Sequence, residues 1–176
     1  MAFPSFASGD VLTATDMNAV GLWLVKTQTI GTGVSSVTVN DAFSTTYDDY
    51  LINIDNVDSS NGTNLYFYVG NATTNYKWSL QYNAYTTTYA ALVGNTTGEF
   101  QYVGALMTDM TCISIPLLGP FLTMPTRIGP VLYTDAGATG TMTGINMNVA
   151  SYTSFKIAPA IGTLTGGTIR VYGYRK

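Results

Sequence analysis

From Leu22 onward, apolar and polar residues alternate in short runs broken by turn residues, with no long stretch at helical spacing. Tyr50, Ile52 and Ile54 alternate with Leu51, Asn53 and Asp55, and Leu65, Phe67 and Val69 alternate with Tyr66 and Tyr68. This period of two is that of strands with one buried face. Tyr76, Trp78, Leu80 and Tyr82 share one face of a further strand, and the phase then flips to Tyr85 and Tyr89, which requires a bulge or turn near Asn83-Ala84. Strands are expected over 24–30 and 34–39, over 100–106, 111–117, 127–134, 139–149 and 153–158, and last over 168–174, where Ile169 and Val171 face inward and Arg170, Tyr172 and Tyr174 outward. Gly31-Thr32-Gly33, Asn40-Asp41, Asp58 to Gly62 and Gly70-Asn71 punctuate them. About ten short strands with turns every 8–15 residues point to an all-β antiparallel sandwich, jelly-roll-like, because nothing supplies the helical crossovers of a parallel sheet. The segment from Pro116 to Pro130 holds four prolines among apolar residues. It reads as an irregular cover over an open end of the sandwich or as a subunit contact, since proline is excluded from central strands.

The N-terminus departs from this pattern. Phe3, Pro4 and Phe6 sit in an irregular apolar arm, and Thr13-Ala14-Thr15-Asp16 reads as a helix N-cap with an acidic residue three positions on. Met17, Val20 and Leu24 follow at i, i+3 and i+7, one apolar face of a short helix that Gly21 weakens. The chain therefore divides into an N-terminal arm with a short helix over 1–25 and a sandwich domain over 26–176. Phe3, Phe6, Met17, Val20 and Trp23 are candidate attachment residues for another subunit; packing back onto the same domain explains them equally well.

Composition narrows the function. Charged residues make up 10% of the 176, against about 25% in an average soluble protein, and Thr, Ser, Asn and Gly supply the polarity instead. A net charge of −3 with scattered Lys and Arg argues against a nucleic-acid partner. The longest uncharged apolar run near the N-terminus, 19–25, is far short of a membrane span, and no signal-peptide pattern precedes it. Cys112 is the single cysteine, expected as a buried thiol within Thr111 to Ile115. The sequence holds no histidine, so Ser-His-Asp and Cys-His machinery and imidazole metal sites are excluded, and no nucleotide-binding fingerprint occurs. No catalytic residue, cofactor or metal is expected. Glycoside cleavage needs only two carboxyl groups, which Glu99 with Asp109 or Asp135 would have to supply. Asp55, Asp58, Asn61 and Asn64 cluster in sequence but lack the spacing of a calcium loop, so a turn is the simpler reading. Tyr82, Asn83, Tyr85 and Tyr89 combine aromatic faces with amide groups, as sugar-binding surfaces do; cross-strand packing is the competing explanation.

Four segments carry a resemblance. The stretch Phe6-Ala7-Ser8-Gly9-Asp10-Val11-Leu12-Thr13-Ala14-Thr15-Asp16-Met17-Asn18 resembles a motif near the start of many bacteriophage tail and fibre-related proteins. With 25–31, 43–50 and the closing Gly167 to Gly173, the chain is similar to small phage virion proteins of the tail-fibre or tail-appendage type, while its middle is unmatched. The resemblance implies a β-sandwich, commonly trimeric, on the virion after synthesis in the host cytoplasm. Its partners would be other virion proteins proximally and a host surface glycan or protein distally. A capsid decoration or head-fibre protein, a glycan-cleaving depolymerase and a carbohydrate-binding module are the alternatives.

Overall fold

A computed structural model describes residues 9, 11, 21–86 and 89–174. Among these residues there is no helix, and none is long and apolar enough to cross a membrane. Thirteen strands form: β1 (Leu22–Thr29), β2 (Val37–Val39), β3 (Asp49–Ser59), β4 (Thr63–Val69), β5 (Tyr76–Ala84), β6 (Tyr89–Thr97), β7 (Ala105–Leu106), β8 (Thr111–Leu118), β9 (Met124–Thr134), β10 (Ala138–Ala150), β11 (Phe155–Pro159), β12 (Leu164–Thr165) and β13 (Thr168–Tyr174). A large antiparallel sheet runs β1-β13-β3-β8-β9-β10-β5-β6, with β12 attached to β3, and a smaller sheet runs β2-β11-β4-β7. The protein is an all-β antiparallel sandwich.

The alternation that marks these strands is the core itself. Tyr50, Ile52, Ile54, Tyr76, Leu80, Ile115, Leu117, Val131, Met142, Ile169 and Val171 line the inner face of the large sheet and are almost wholly buried. Phe67 and Phe155 answer from the smaller sheet, stacked at 5.2 Å. Phe43 bridges to Tyr50 at 4.8 Å and to Phe155 at 5.7 Å, while Phe100 meets Tyr76 edge-on at 4.8 Å. Offset and edge-on contacts are the arrangements that aromatic quadrupoles favour. Tyr76 also ties the turn between β4 and β5: Val69 donates its N–H to the Tyr76 hydroxyl (3.0 Å), which donates to Ala72 O (3.1 Å).

Three expectations need correction. The prolines do not keep 116–130 out of the sheet, because Pro116 lies in β8 opposite Leu51, and Pro125 and Pro130 lie in β9. The sheet accommodates them by opening: β8 and β9 pair only at Leu117↔Ile128 and Leu118↔Arg127, so Pro116 and Pro130 are not asked for a ladder N–H between those strands. Only 119–123 is a connection. Cys112 is exposed, on the outer face of β8 beside the buried, inward-facing Ile113. The strand expected over 100–106 shrinks to β7 plus a bridge between Phe67 and Phe100, because Tyr102 takes a left-handed φ of 58° that interrupts an extended run.

The expected helix over 13–24 falls mostly outside the described residues, but its last positions are strand. Leu22, Trp23 and Leu24 pair with Tyr174, Gly173 and Tyr172, so the sheet begins at Leu22. The phase flip after Tyr82 is the β5–β6 hairpin turn beyond Ala84.

Candidate functional site

One end of the sandwich holds a cavity of about 520 Å³. The start of β4, the segment around β7 and the β9–β10 turn build it, placing Asn64, Tyr133 and Asp135 beside the apolar Leu106 and Met107. The β9–β10 turn is organised by Asp135. Its Oδ1 accepts the N–H groups of Gly137 and Ala138, both at 2.7 Å, and its own N–H donates to Ala138 O at 2.9 Å. Asp suits this position because its short carboxylate reaches the backbone two and three residues on. The second oxygen, Oδ2, is thereby fixed 2.9 Å from the Tyr133 hydroxyl, which also lies 2.9 Å from Asn64 Oδ1. A phenol has one proton, and charge favours giving it to the carboxylate. The Asn64 amide then serves the hydroxyl best with its NH2 turned toward it, leaving its carbonyl oxygen free for another donor. Burial first, and the Asp135 carboxylate second, push the Tyr133 pKa above the ordinary tyrosine range, so the hydroxyl stays protonated.

An aromatic run backs this triad. Tyr102 meets Tyr133 edge-on at 6.0 Å and Trp78 at 5.3 Å. The β5–β6 hairpin stands beside it, tied to the cavity rim by the Tyr85 N–H donating to Gly137 O at 2.9 Å. Tyr85 and Tyr89 are 59% and 61% exposed, so most of each side chain is free to meet a ligand. Asn83 is exposed and pairs with Tyr89 across the hairpin. Tyr82 differs: it is half-buried on the inner face, packed against the core.

The residues singled out in the sequence for sugar binding thus lie on the hairpin beside the cavity and not in its lining, and the polar triad was not among them. Asn64 and Tyr133 lie 69 residues apart and meet only through sheet topology. Asn64 had stood in an Asx-rich segment with Asp55, Asp58 and Asn61. That segment is dispersed: Asp55 pairs with Arg170, Asn61 Oδ1 accepts from Ser60 Oγ, and no group of three or more acidic or thiol side chains suited to a metal occurs among the described residues. Glu99 accepts from Gln101 Nε2 at 2.6 Å, and neither it nor Asp109 lines the cavity. The arrangement offers one fixed carboxylate, one amide and neighbouring apolar and aromatic faces. That chemistry suits a neutral ligand bearing hydroxyl donors on an apolar frame.

The opposite end of β3 presents a different surface. Leu24, Tyr172, Leu51 and Pro116 stand in one row across four strands, with Leu22 paired to Tyr174 and Leu118 opposite Asp49 at the sheet's end. Leu24 is 56% exposed, so this outer face is apolar and open. Trp23, by contrast, is half-buried on the inward side of β1 opposite Gly173, and its Nε1 is buried without a partner among the described residues. Phe3, Phe6, Met17 and Val20 lie outside the described residues.

No protein-family model matches the sequence, and no curated protein matches it. Solved structures with some similarity of shape include a galectin from Caenorhabditis elegans, 10% identical, covering 81% of this chain and 94% of that one at a TM-score of 0.39. Lactose-liganded congerin II is 16% identical, with 77% and 98% covered at a TM-score of 0.39. An exo-inulinase from Aspergillus awamori is 10% identical at a TM-score of 0.41, this chain covering 29% of it. At these values no residue of the cavity acquires a counterpart.

Proposed function

We propose that this chain is a non-enzymatic structural subunit of a bacteriophage virion, of the tail-fibre or tail-appendage type. It docks on the particle through its N-terminal arm and meets the host surface at the far end. The observation that carries this reading is the polarity of β3. Its first residues lie beside the entry of the arm at Leu22 and the open apolar face formed by Leu24, Tyr172 and Leu118. Its last residue, Ser59, donates to Met107 O at the cavity. Eleven strand residues separate the two ends by about 33 Å. An apolar surface continuous with an apolar arm suits a permanent protein contact, and a polar cavity flanked by exposed tyrosines suits a transient one.

The distal partner fitting the cavity is a surface glycan, whose hydroxyls would donate to Asp135 Oδ2 and Asn64 while a sugar face rests on Tyr85 or Tyr89. Among the described residues a single carboxylate, Asp135, lines the cavity, which supports binding over cleavage, since glycosidases use two. The resemblance further implies a homo-oligomer, commonly a trimer, placed on the virion.

Deleting residues 2–20 tests the proximal half: the sandwich should fold and melt as before, yet be absent from purified particles. Incorporation at the full level would remove the attachment reading. Tyr133→Phe with Asn64→Ala tests the distal half in an adsorption assay on host cells, where loss of binding by the incorporated variant is expected. Release of new reducing ends from host polysaccharide by the intact protein would replace the binding reading with an enzymatic one.

A further inference from the structure

We infer that β6 is a self-complementary edge, through which a second copy of this chain extends the large sheet in a two-fold, antiparallel pairing. Among the described residues β6 pairs only with β5, so one side of its backbone has no ladder. Unpaired strand edges recruit other strands unless they are short, charged, interrupted by proline or bulged. Over nine residues, Tyr89–Thr97, β6 carries no charge and no proline. Its side chains are also uncovered on both faces. Val93, on the outer face, is 75% exposed, and Leu92, turned inward opposite the buried Leu80, is still 37% exposed. The other edge of the same sheet is treated differently. β1 breaks register between Leu24 and Lys26 and turns Lys26 to the side of buried Val171. An inward-turned charge and an irregularity are the devices that blunt an edge, and β6 has neither over its regular stretch.

The register selects a second copy as the occupant. Pairing with β5 is regular from Tyr89 to Asn95 and shifts beyond it, where Thr96 takes a φ of 60°. A two-fold axis through Leu92 pairs that whole regular stretch with itself. Tyr89 then meets Asn95 of the second copy, Ala90 meets Gly94, and Ala91 meets Val93. These pairs join residues of the same face and set a larger side chain against a smaller one or an amide, while Leu92 meets its own copy at the axis. The net −3 of each copy opposes pairing at long range, but β6 brings no charge of its own to the junction. The ladder would be about 23 Å long and one strand wide, which covers less than the about 800 Å² per partner of a standard stable interface. The dimer should therefore be concentration-dependent in solution and reinforced wherever copies are held close together. An isologous contact joins copies in pairs, so a threefold assembly would have to use another surface. The inference stands on β6 alone and does not depend on the virion reading.

Sedimentation velocity of the full chain over a wide concentration range tests it. The expected result is a reversible rise from 18.8 kDa to twice that mass. Val93→Lys, which sets two like charges near the axis, should raise the midpoint concentration by roughly tenfold or more, leaving the thermal midpoint unchanged. As a second readout, Leu92→Cys in a Cys112→Ser background should cross-link to itself under mild oxidation, while Gln81→Cys on the exposed face of β5 should not. A monomer at every concentration, an oligomer indifferent to Val93→Lys, or equal cross-linking at 81 and 92 would overturn the two-fold β6 contact.

Discussion

Removing one hydroxyl, in Tyr76→Phe, should expose how the two sheets are tied. Tyr76 is fully buried, and its oxygen accepts from Val69 N–H at 3.0 Å and donates to Ala72 O at 3.1 Å. Phenylalanine keeps the ring against Phe100 but leaves a buried N–H without its acceptor. Stranding one buried group costs about 1–3 kcal/mol. For a domain of this size that is a fall of about 2–12 °C in Tm. The same substitution should change the alkaline limb of stability. Burial raises the Tyr76 pKa above the ordinary value near 10, and Tyr133 is raised in the same way. Above pH 10 the unfolded chain loses these protons first, so it binds fewer protons than the folded state, and stability falls as pH rises. Each tyrosine contributes a loss of about 1 kcal/mol between pH 10 and 11. The native protein should therefore lose about 2 kcal/mol over that unit from this pair, and Tyr76→Phe about half as much. Tyr66 and Tyr68, raised chiefly by burial, add a smaller slope common to both proteins. Urea titrations at pH 7, 10 and 11 measure both effects. Equal stability at pH 7, or an undiminished alkaline slope in the variant, would refute the role given to this hydroxyl.

Two further substitutions or reactions probe the packing. A methyl on Gly94 would run into the Trp78 indole, so Gly94→Ala should destabilise by about 1–3 kcal/mol in urea, whereas Ala91→Ser on the outer face should be near neutral. Cys112 should react with a disulfide reagent in the folded protein at a rate close to that in denaturant; protection until unfolding would place the thiol in the core instead.

Most of the fold was legible because one sheet face is buried. Tyr50, Ile52 and Ile54, or Leu65, Phe67 and Val69, alternate strictly because every second residue reaches the core. The failures share a cause: they depend on partners that a local window does not contain. Pro116 and Pro130 are tolerated in β8 and β9 only because those strands part after two pairs. Cys112 sits among apolar letters, yet it occupies the outward phase of β8, next to inward-facing Ile113. Residues 22–24 fit both the end of a short helix and the start of a strand, and pairing with β13 makes them strand. The cavity lining was not visible in the sequence. Tyr85 and Tyr89 announced themselves by falling out of phase, while Asn64, Tyr133 and Asp135 are joined by a topology that spans 69 residues.

Imaging the particle itself tests the proposed polarity most directly. In an averaged electron micrograph of virions carrying the protein, the Leu22 end of the sandwich should adjoin the particle body and the Asp135 turn should point outward. Virions that lack the chain, or a subunit whose Asp135 and Tyr85 end is buried against the particle, would contradict it.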